Sequence, residues 1–423
     1  VKRRAAWIVT AALGVVALCL GVAEARARAQ VRRELSSPLF AAPVDLAPAR
    51  ERVLPRSDAP RPLAMRPVLR IDGGDGLAPP FGRLADVAPS RSGDTLYVLD
   101  EMEARVSAFG RDGRFLFAFG RKGRGPGEFL RPTHLLVLPW SGAVGVWDAD
   151  AQRLTLHAPD GARPRVANPA AGHRTTASKT VRRLAAFDGG FVMEVHADPL
   201  LVGPDGQAGA LVRLDTALAA ADTLVRFAVA GVRATHVETA AGSSATTWLN
   251  PPVFSPAPSW DLLRDGTVVF APGGPAEAYR IGAGGAARVR WARAPGRVTR
   301  QDRLRRLAGE IDTGLMRVPP VPPTVLEALH RRFFAHVRPA VTGVLAAPDG
   351  EVWARRFDTE ASWEGHARTW DRAGWDGSAR APVRVPPRFR PLRISGSHVY
   401  GIAFDDTYVD RVEVYPLSEA GAE

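Results

Sequence analysis

Short stretches of alternating apolar and polar residues recur along this chain, each followed by a Gly- or Asp-marked turn. Alternation at period two sets one face of a strand against a core and the other toward a second layer. The clearest stretches are Thr95–Leu99 (TLYVL), Phe115–Phe119 (FLFAF), Val144–Trp147, Phe191–Val195, Thr267–Phe270, Glu351–Arg355 and His398–Ile402. They share an order: a β-run, turn residues, a second β-run, then a tight turn. The second run and its turn return six times, at 104–113, 152–161, 210–218, 276–285, 367–375 and 410–419. Repeats of this size mean a radial or solenoid architecture.

The first unit is complete. Leu84–Ala88, Thr95–Leu99, Ala104–Phe109 and Phe115–Phe119 are four strand positions, with Arg111-Asp112-Gly113 as the last hairpin turn. Four antiparallel strands at this spacing make a propeller blade. In the second unit Leu135–Leu138, Val144–Trp147 and Leu154–His157 repeat the register. The turns Asp188-Gly189-Gly190, Arg264-Asp265-Gly266, Pro348-Asp349-Gly350 and Ser395-Gly396-Ser397 mark the next four units. The sixth runs out after Val412–Tyr415, one strand short. Val68–Ile71 precedes a Gly/Pro loop and the first inner strand, as Phe115–Phe119 precedes the second, so it supplies the missing strand. Closure of this kind removes the open sheet edge. The pattern therefore predicts an all-β protein, a six-bladed β-propeller whose N-terminal strand completes the last blade, over residues 66–418.

One segment changes period. Arg300–Leu315 and Thr324–Val337 carry apolar residues at helical spacing, Leu304, Leu307 and Ile311 in one and Leu326, Leu329 and Phe333 in the other. Pro319-Pro320-Val321-Pro322-Pro323 separates them. A helical insertion over about 297–338, between blades four and five, is the expectation, serving as a cap or a lid.

Residues 109–137 (FGRDGRFLFAFGRKGRGPGEFLRPTHLLV) resemble the NHL-repeat propellers. Gly123, Gly125, Gly127, Glu128, Phe129 and Pro132 match that family's loop between blades. In LYVLDEMEARVSAF (96–109) Asp100 and Arg105 match as well. Glu103 departs, standing where the family has Asn. The resemblance covers about 90 residues and implies a propeller with a central channel, similar to exported bacterial six-bladed proteins. It does not imply an activity, because propellers serve as scaffolds, sensors and enzymes. Structural roles account for the matched residues: glycines for the loop turn, and Asp100 as a cap on the turn after the second strand.

Before the repeats, Lys2-Arg3-Arg4 precede an apolar run, residues 5–23, and small residues precede Gln30. This reads as an export signal cleaved after Ala29, or as a retained inner-membrane anchor over residues 5–23. Both place the remainder outside the cytoplasm, in the periplasm or secreted. Residues 30–65, rich in Pro, Ala and Arg, read as a linker. The single cysteine, Cys19, lies in the apolar run, so the rest of the chain has no disulfide and no thiolate chemistry. The net charge is +12, carried almost wholly by Arg: Lys2, Lys122 and Lys179 are the only lysines among 56 basic residues. The arginines are spread along the chain, and an exported protein does not meet nucleic acid, so no nucleic-acid partner is expected.

No reaction is spelled out. RKGRGPGEF lacks the Lys-Ser/Thr and helix start of a phosphate loop. No G-x-S-x-G elbow occurs. The nine His show no ligand spacing, and Asn168 and Asn250 are the only asparagines a lactonase-like calcium site could use. Trp363, Trp370 and Trp375 cluster in blade five, where Trp370 takes a core position of the repeat. No cofactor or metal is expected. If a ligand binds, it binds at the channel mouth, near the starts of the innermost strands. The residues at those places are Asp86, His134, Arg183, Asp261, Thr342 and Arg393. The sequence therefore points to a monomeric extracytoplasmic binding or scaffold propeller with a protein, glycan or small-molecule partner. The alternative is a propeller hydrolase or lyase, metal-dependent and lactonase-like, working at the same mouth.

Overall fold

In a computed structural model of the chain, the described residues are 29, 44–45, 50–55, 60–63, 66–74, 76–169, 179–197, 207–230, 233–238, 244–249, 253–303, 334–357, 369–405 and 407–417. They form a six-bladed β-propeller. Blade one is Leu84–Pro89, Thr95–Asp100, Arg105–Gly110 and Phe115–Phe119, in sequence order and antiparallel. Blade two is Pro132–Val137, Val144–Asp148, Arg153–His157 and Arg165–Ala167. The innermost strands of blades three to six are Lys179–Phe187, Ser259–Leu262, Val341–Ala346 and Phe389–Ser395. Leu69–Ile71 pairs antiparallel with Asp410–Pro416 and completes blade six, as the repeat count requires.

The ring closes through six hydrophobic cores, one between each pair of neighbouring blades. Between blades one and two, Tyr97, Leu99 and Val106 pack with Phe129, Leu135 and Val146. Between blades six and one, Ile402, Val412 and Val414 pack with Val87, Val98 and Phe109. The alternation of each strand explains this arrangement: every sheet buries both faces, one against each neighbour. Trp370 lies in the core between blades five and six, and Trp375 packs against the core between four and five. Both are packing residues; Trp363 lies outside the described residues.

Residues 44–71 do more than close blade six. Val44–Asp45 adds a fifth strand to blade three, Arg50–Leu54 to blade four and Arg61–Pro62 to blade five. The described part of the segment read as a linker is thus a belt along the outer rim. It drops one apolar anchor into each of three successive cores: Leu54 between blades four and five, Leu63 between five and six, and Ile71 between six and one. All three are buried. Starting on blade three and reaching blade six before blade one begins, the chain lies over three of the six blades and completes a fourth.

Two aspartates hold the connections between blades. Asp100 accepts hydrogen bonds from the backbone N–H groups of Gly82 (2.7 Å), Arg83, Met102 and Glu103 (3.1 Å each). Asp148 repeats the set with Leu130, Arg131, Asp150 and Ala151. The cap expected of Asp100 is present, and it also pins the incoming connection from the previous blade. In the Gly-rich loop, the Glu128 carboxylate accepts from Gly125 N (2.8 Å) and Arg121 Nε (2.8 Å). A Cβ on Gly123 would stand 2.2 Å from that carboxylate, so Gly123 is there to admit it.

The described residues do not support a helical insertion between blades four and five. A reciprocal cap, Thr299 with Asp302, starts a turn of helix at 300–303. Residues 304–333 lie outside the described residues. At the far end, where the apolar period predicts helix, Phe334 makes a β-bridge to Val253 and Val337–Arg338 pairs with Gly296–Arg297. The tertiary pairing of these ends overrides their helical spacing. Residues 5–23 also lie outside the described residues; among those described, no helix is long and apolar enough to cross a membrane.

Candidate functional site

Five of the six innermost strands carry a register irregularity near their start. It falls between Leu84 and Asp86, Pro132 and His134, Val181 and Arg183, Val341 and Gly343, and Pro391 and Arg393. Each is a one-residue bulge, and a bulge re-aims the side chain that follows it. The residues that follow are Asp86, His134, Arg183, Gly343 and Arg393.

Four of these, with Asp261, line one cavity of about 580 Å³ inside the channel. It extends from their level toward the ends of the innermost strands, past Pro89, Val137, Leu263, Pro348 and Ser395. Asp86, His134, Arg183, Asp261 and Arg393 are thus brought together, and the space they share opens at the strand ends rather than the starts.

Thr342 is not part of that lining. It is the extra residue of its bulge, one place before the channel position, which Gly343 holds. Arg355 of the neighbouring strand fills the room that Gly343 leaves, its Nε 3.2 Å from where a Cβ would be. Thr342 holds that guanidinium, accepting from Nε through Oγ1 (2.9 Å) and from Nη2 through its carbonyl (2.7 Å). Burial, with the like charge of Arg390, pushes Arg355 down to about 10.

Asp261 also stands off the simple repeat. Ser259, two residues earlier, makes the contact that Asp86 makes in blade one. Asp86 Oδ2 accepts from Leu135 N of the next blade at 2.8 Å, and Ser259 Oγ accepts from Val344 N of the next blade at 3.0 Å. Asp261 takes the next step along the same face and accepts from Ala346 N at 2.9 Å. Ser259 was missed because blade four lacks the bulge of the other innermost strands, and Arg355 because it reaches Gly343 from the neighbouring strand; neither leaves a mark in the hydrophobic pattern.

The charges divide into pairs. Arg393 Nη2 donates to both oxygens of Asp86, at 2.8 and 2.9 Å. Burial opposes the Asp86 charge, but Arg393 and the Leu135 N–H outweigh it and hold the carboxyl below the usual range. Arg183 stacks over the Trp260 ring, 4.5 Å to its centroid, and donates from Nη1 to the Trp260 carbonyl. Its Nη2 is 3.7 Å from Asp261 Oδ1, too far for a hydrogen bond. Burial raises the Asp261 carboxyl against the pull of Arg183. Behind Trp260, Glu194 accepts from the indole Nε1 at 2.7 Å and meets His196 Nε2 at 2.6 Å. His134 has its Nδ1 2.9 Å from Thr133 Oγ1. Burial, reinforced by Arg183, pushes its imidazole down to about 4, so it is neutral at pH 7. Among the described residues, no three His, Cys, Asp or Glu side chains gather to hold a metal ion.

Known proteins match the fold and stop there. A family described as "6-bladed beta-propeller" matches residues 87–152. No curated protein matches the chain. Solved structures of low identity align along most of it. A protein from Bacteroides fragilis NCTC 9343 has 9% identity and a TM-score of 0.47, covering 86% of this chain and 99% of that one. Virginiamycin B lyase from Staphylococcus aureus has 10% identity and a TM-score of 0.36, covering 81% and 86%. A calcium-binding protein, regucalcin, from Agrobacterium tumefaciens has 12% identity and a TM-score of 0.38, covering 87% and 98%. At these values none of them carries a ligand or a reaction across to this chain.

Proposed function

We propose that this chain is a ligand-binding propeller working outside the cytoplasm, with a small molecule as its ligand and the channel cavity as its site. One observation carries the reading: polar side chains from five different blades converge on a single cavity of about 580 Å³. That is the size and mixed lining of a small-molecule pocket. A closed ring gives such a site rigid walls, because Asp86, His134, Arg183, Asp261 and Arg393 each sit on an innermost strand held between neighbouring blades. The extracytoplasmic placement is supported by the basic-then-apolar start of the chain, residues 2–23. Cell fractionation of the full-length protein tests it, and recovery in the cytosolic fraction would refute it.

The binding reading is tested by thermal-shift screening of the purified protein, followed by titration of hits on His134→Ala and on Ala185→Trp, which places a bulky side chain in the lining. Affinity should fall in both. Hits that bind these variants unchanged would move the site elsewhere.

A second reading has one specific observation behind it. His134 is neutral at pH 7 beside two arginines, the arrangement of a general base next to groups that stabilise a developing anion. A lyase or hydrolase of that kind would consume its ligand, and product formation abolished in His134→Gln would establish it.

A further inference from the structure

We propose that the channel cavity takes an organic monocarboxylate, its carboxylate held by Arg183 and Arg393 and the rest of the molecule lying toward the strand ends. This rests on the ligand-binding reading above and names the class of ligand.

The acids of the cavity are already engaged. Asp86 accepts from Val87 N and Leu135 N, at 2.8 Å each, as well as from Arg393. Asp261 accepts from Leu262 N and Ala346 N, at 2.9 Å each. Their lone pairs face backbone and neighbouring blades, so they serve as staples and offer a ligand little.

The arginines keep donors in reserve. Every bond from Arg393 to Asp86 comes from Nη2, which leaves the Nη1 donors uncommitted. Arg183 spends Nη1 on the Trp260 carbonyl, while Nη2 stops short of Asp261. A guanidinium has five N–H donors, so each retains a pair for a planar anion. Both line the same cavity, with His134 and Asp261 beside them.

The charge balance selects a single negative charge. Arg91, Arg183, Arg264 and Arg393 line the cavity against Asp86, Asp261 and Asp265, an excess of one positive charge. A monoanion neutralises it; a phosphate dianion would leave a net negative charge among the lining groups. Toward the strand ends the lining mixes apolar residues, Pro89, Val137, Leu263 and Pro348, with polar ones, Ser90 and Ser395 among them. A small carboxylate whose body offers apolar contact surface matches both parts of this lining.

The test titrates the full-length protein with octanoate and 3-phenylpropanoate, with their primary amides, and with octylammonium. Two variants accompany it. Arg183→Gln removes the fork. Ala185→Trp, on the same strand face as Arg183, fills the cavity; circular dichroism confirms that both fold. The acids should bind at least about tenfold tighter than the amides, lose about that factor in Arg183→Gln, and fail to bind Ala185→Trp. Acids and amides binding equally, with both lost in Ala185→Trp, would overturn the carboxylate assignment and leave the cavity as a binding site. Binding of octylammonium in preference would do the same. No saturation by any probe at millimolar concentration, or binding unaffected by Ala185→Trp, would overturn both.

Discussion

Arg393 of blade six grips Asp86 of blade one through a single nitrogen, at 2.8 and 2.9 Å, across 307 residues of sequence. The contact lies inside the channel at the seam where the ring closes, and Asp86 in turn is bonded to blade two through Leu135 N. One carboxylate therefore ties three consecutive blades together.

That arrangement makes Asp86 costly to leave alone. Arg393→Met should lower stability by about 2 kcal/mol, below the range for fully buried pairs because the Arg393 head is partly exposed. Asp86→Asn in the same background should recover part of the loss. Urea unfolding of the two single variants and the double variant measures the coupling, and strictly additive effects would show that the pair contributes nothing.

His134 gives the fold a pH dependence of definite sign. Its folded titration point, about 4, is below the free imidazole value of 6.5, so folding disfavours the proton. The stability this contributes is complete above about pH 6.5 and is lost as the pH falls toward 4, up to about 3 kcal/mol. His134→Gln should flatten that part of the profile. Melting temperatures of both proteins from pH 7.5 to pH 4 decide it; parallel curves would assign the acid sensitivity to other groups.

The belt anchors should each carry measurable stability. Leu54→Ala and Leu63→Ala should cost about 2–4 kcal/mol apiece, the usual loss for emptying a packed core position. Deleting residues 66–72 removes the seam strand and should abolish cooperative unfolding. Truncation before residue 60 removes only outer-rim strands and one anchor, and should leave the ring cooperative. Hydrogen exchange at Gly285–Trp291, the strand that Arg50–Leu54 covers, should rise in the truncated protein.

Gly123→Ala should be destabilising by about 1–3 kcal/mol, because the added Cβ would overlap the Glu128 carboxylate. Glu128→Ala in the same chain should relieve the clash. A loss that persists in the double variant would place the cost in the backbone conformation instead.

Much of this was legible in the sequence, for a physical reason. A strand buried on both faces between turns writes its period and its turn residues plainly, so Val68–Ile71 could be assigned to blade six from the repeat count alone. The channel residues were legible to the extent that position in the repeat equals position in space. Asp86, His134, Arg183 and Arg393 follow that rule. Thr342 does not, because it stands one residue before the equivalent position, which Gly343 holds, and a neighbouring strand's Arg355 occupies the room there. Asp261 breaks it by two residues, with Ser259 in the place expected of it. The belt was not legible. Its strands are two to five residues long, and what makes them strands is a sheet edge built hundreds of residues later.

That distance has a consequence in time. Glu51 and Arg288, joined in an ion pair at the rim, are 237 residues apart. At a synthesis rate of about 5–20 residues per second, the edge that receives Arg50–Leu54 emerges roughly ten to fifty seconds after the segment itself. The first-made strands of the propeller are therefore among the last to be seated. Four of the five residues in Arg50–Leu54 remain exposed even in the finished ring, and only Leu54 is buried. A segment so polar can wait in water without recruiting the wrong sheet, and it latches the ring only after the blades it spans exist.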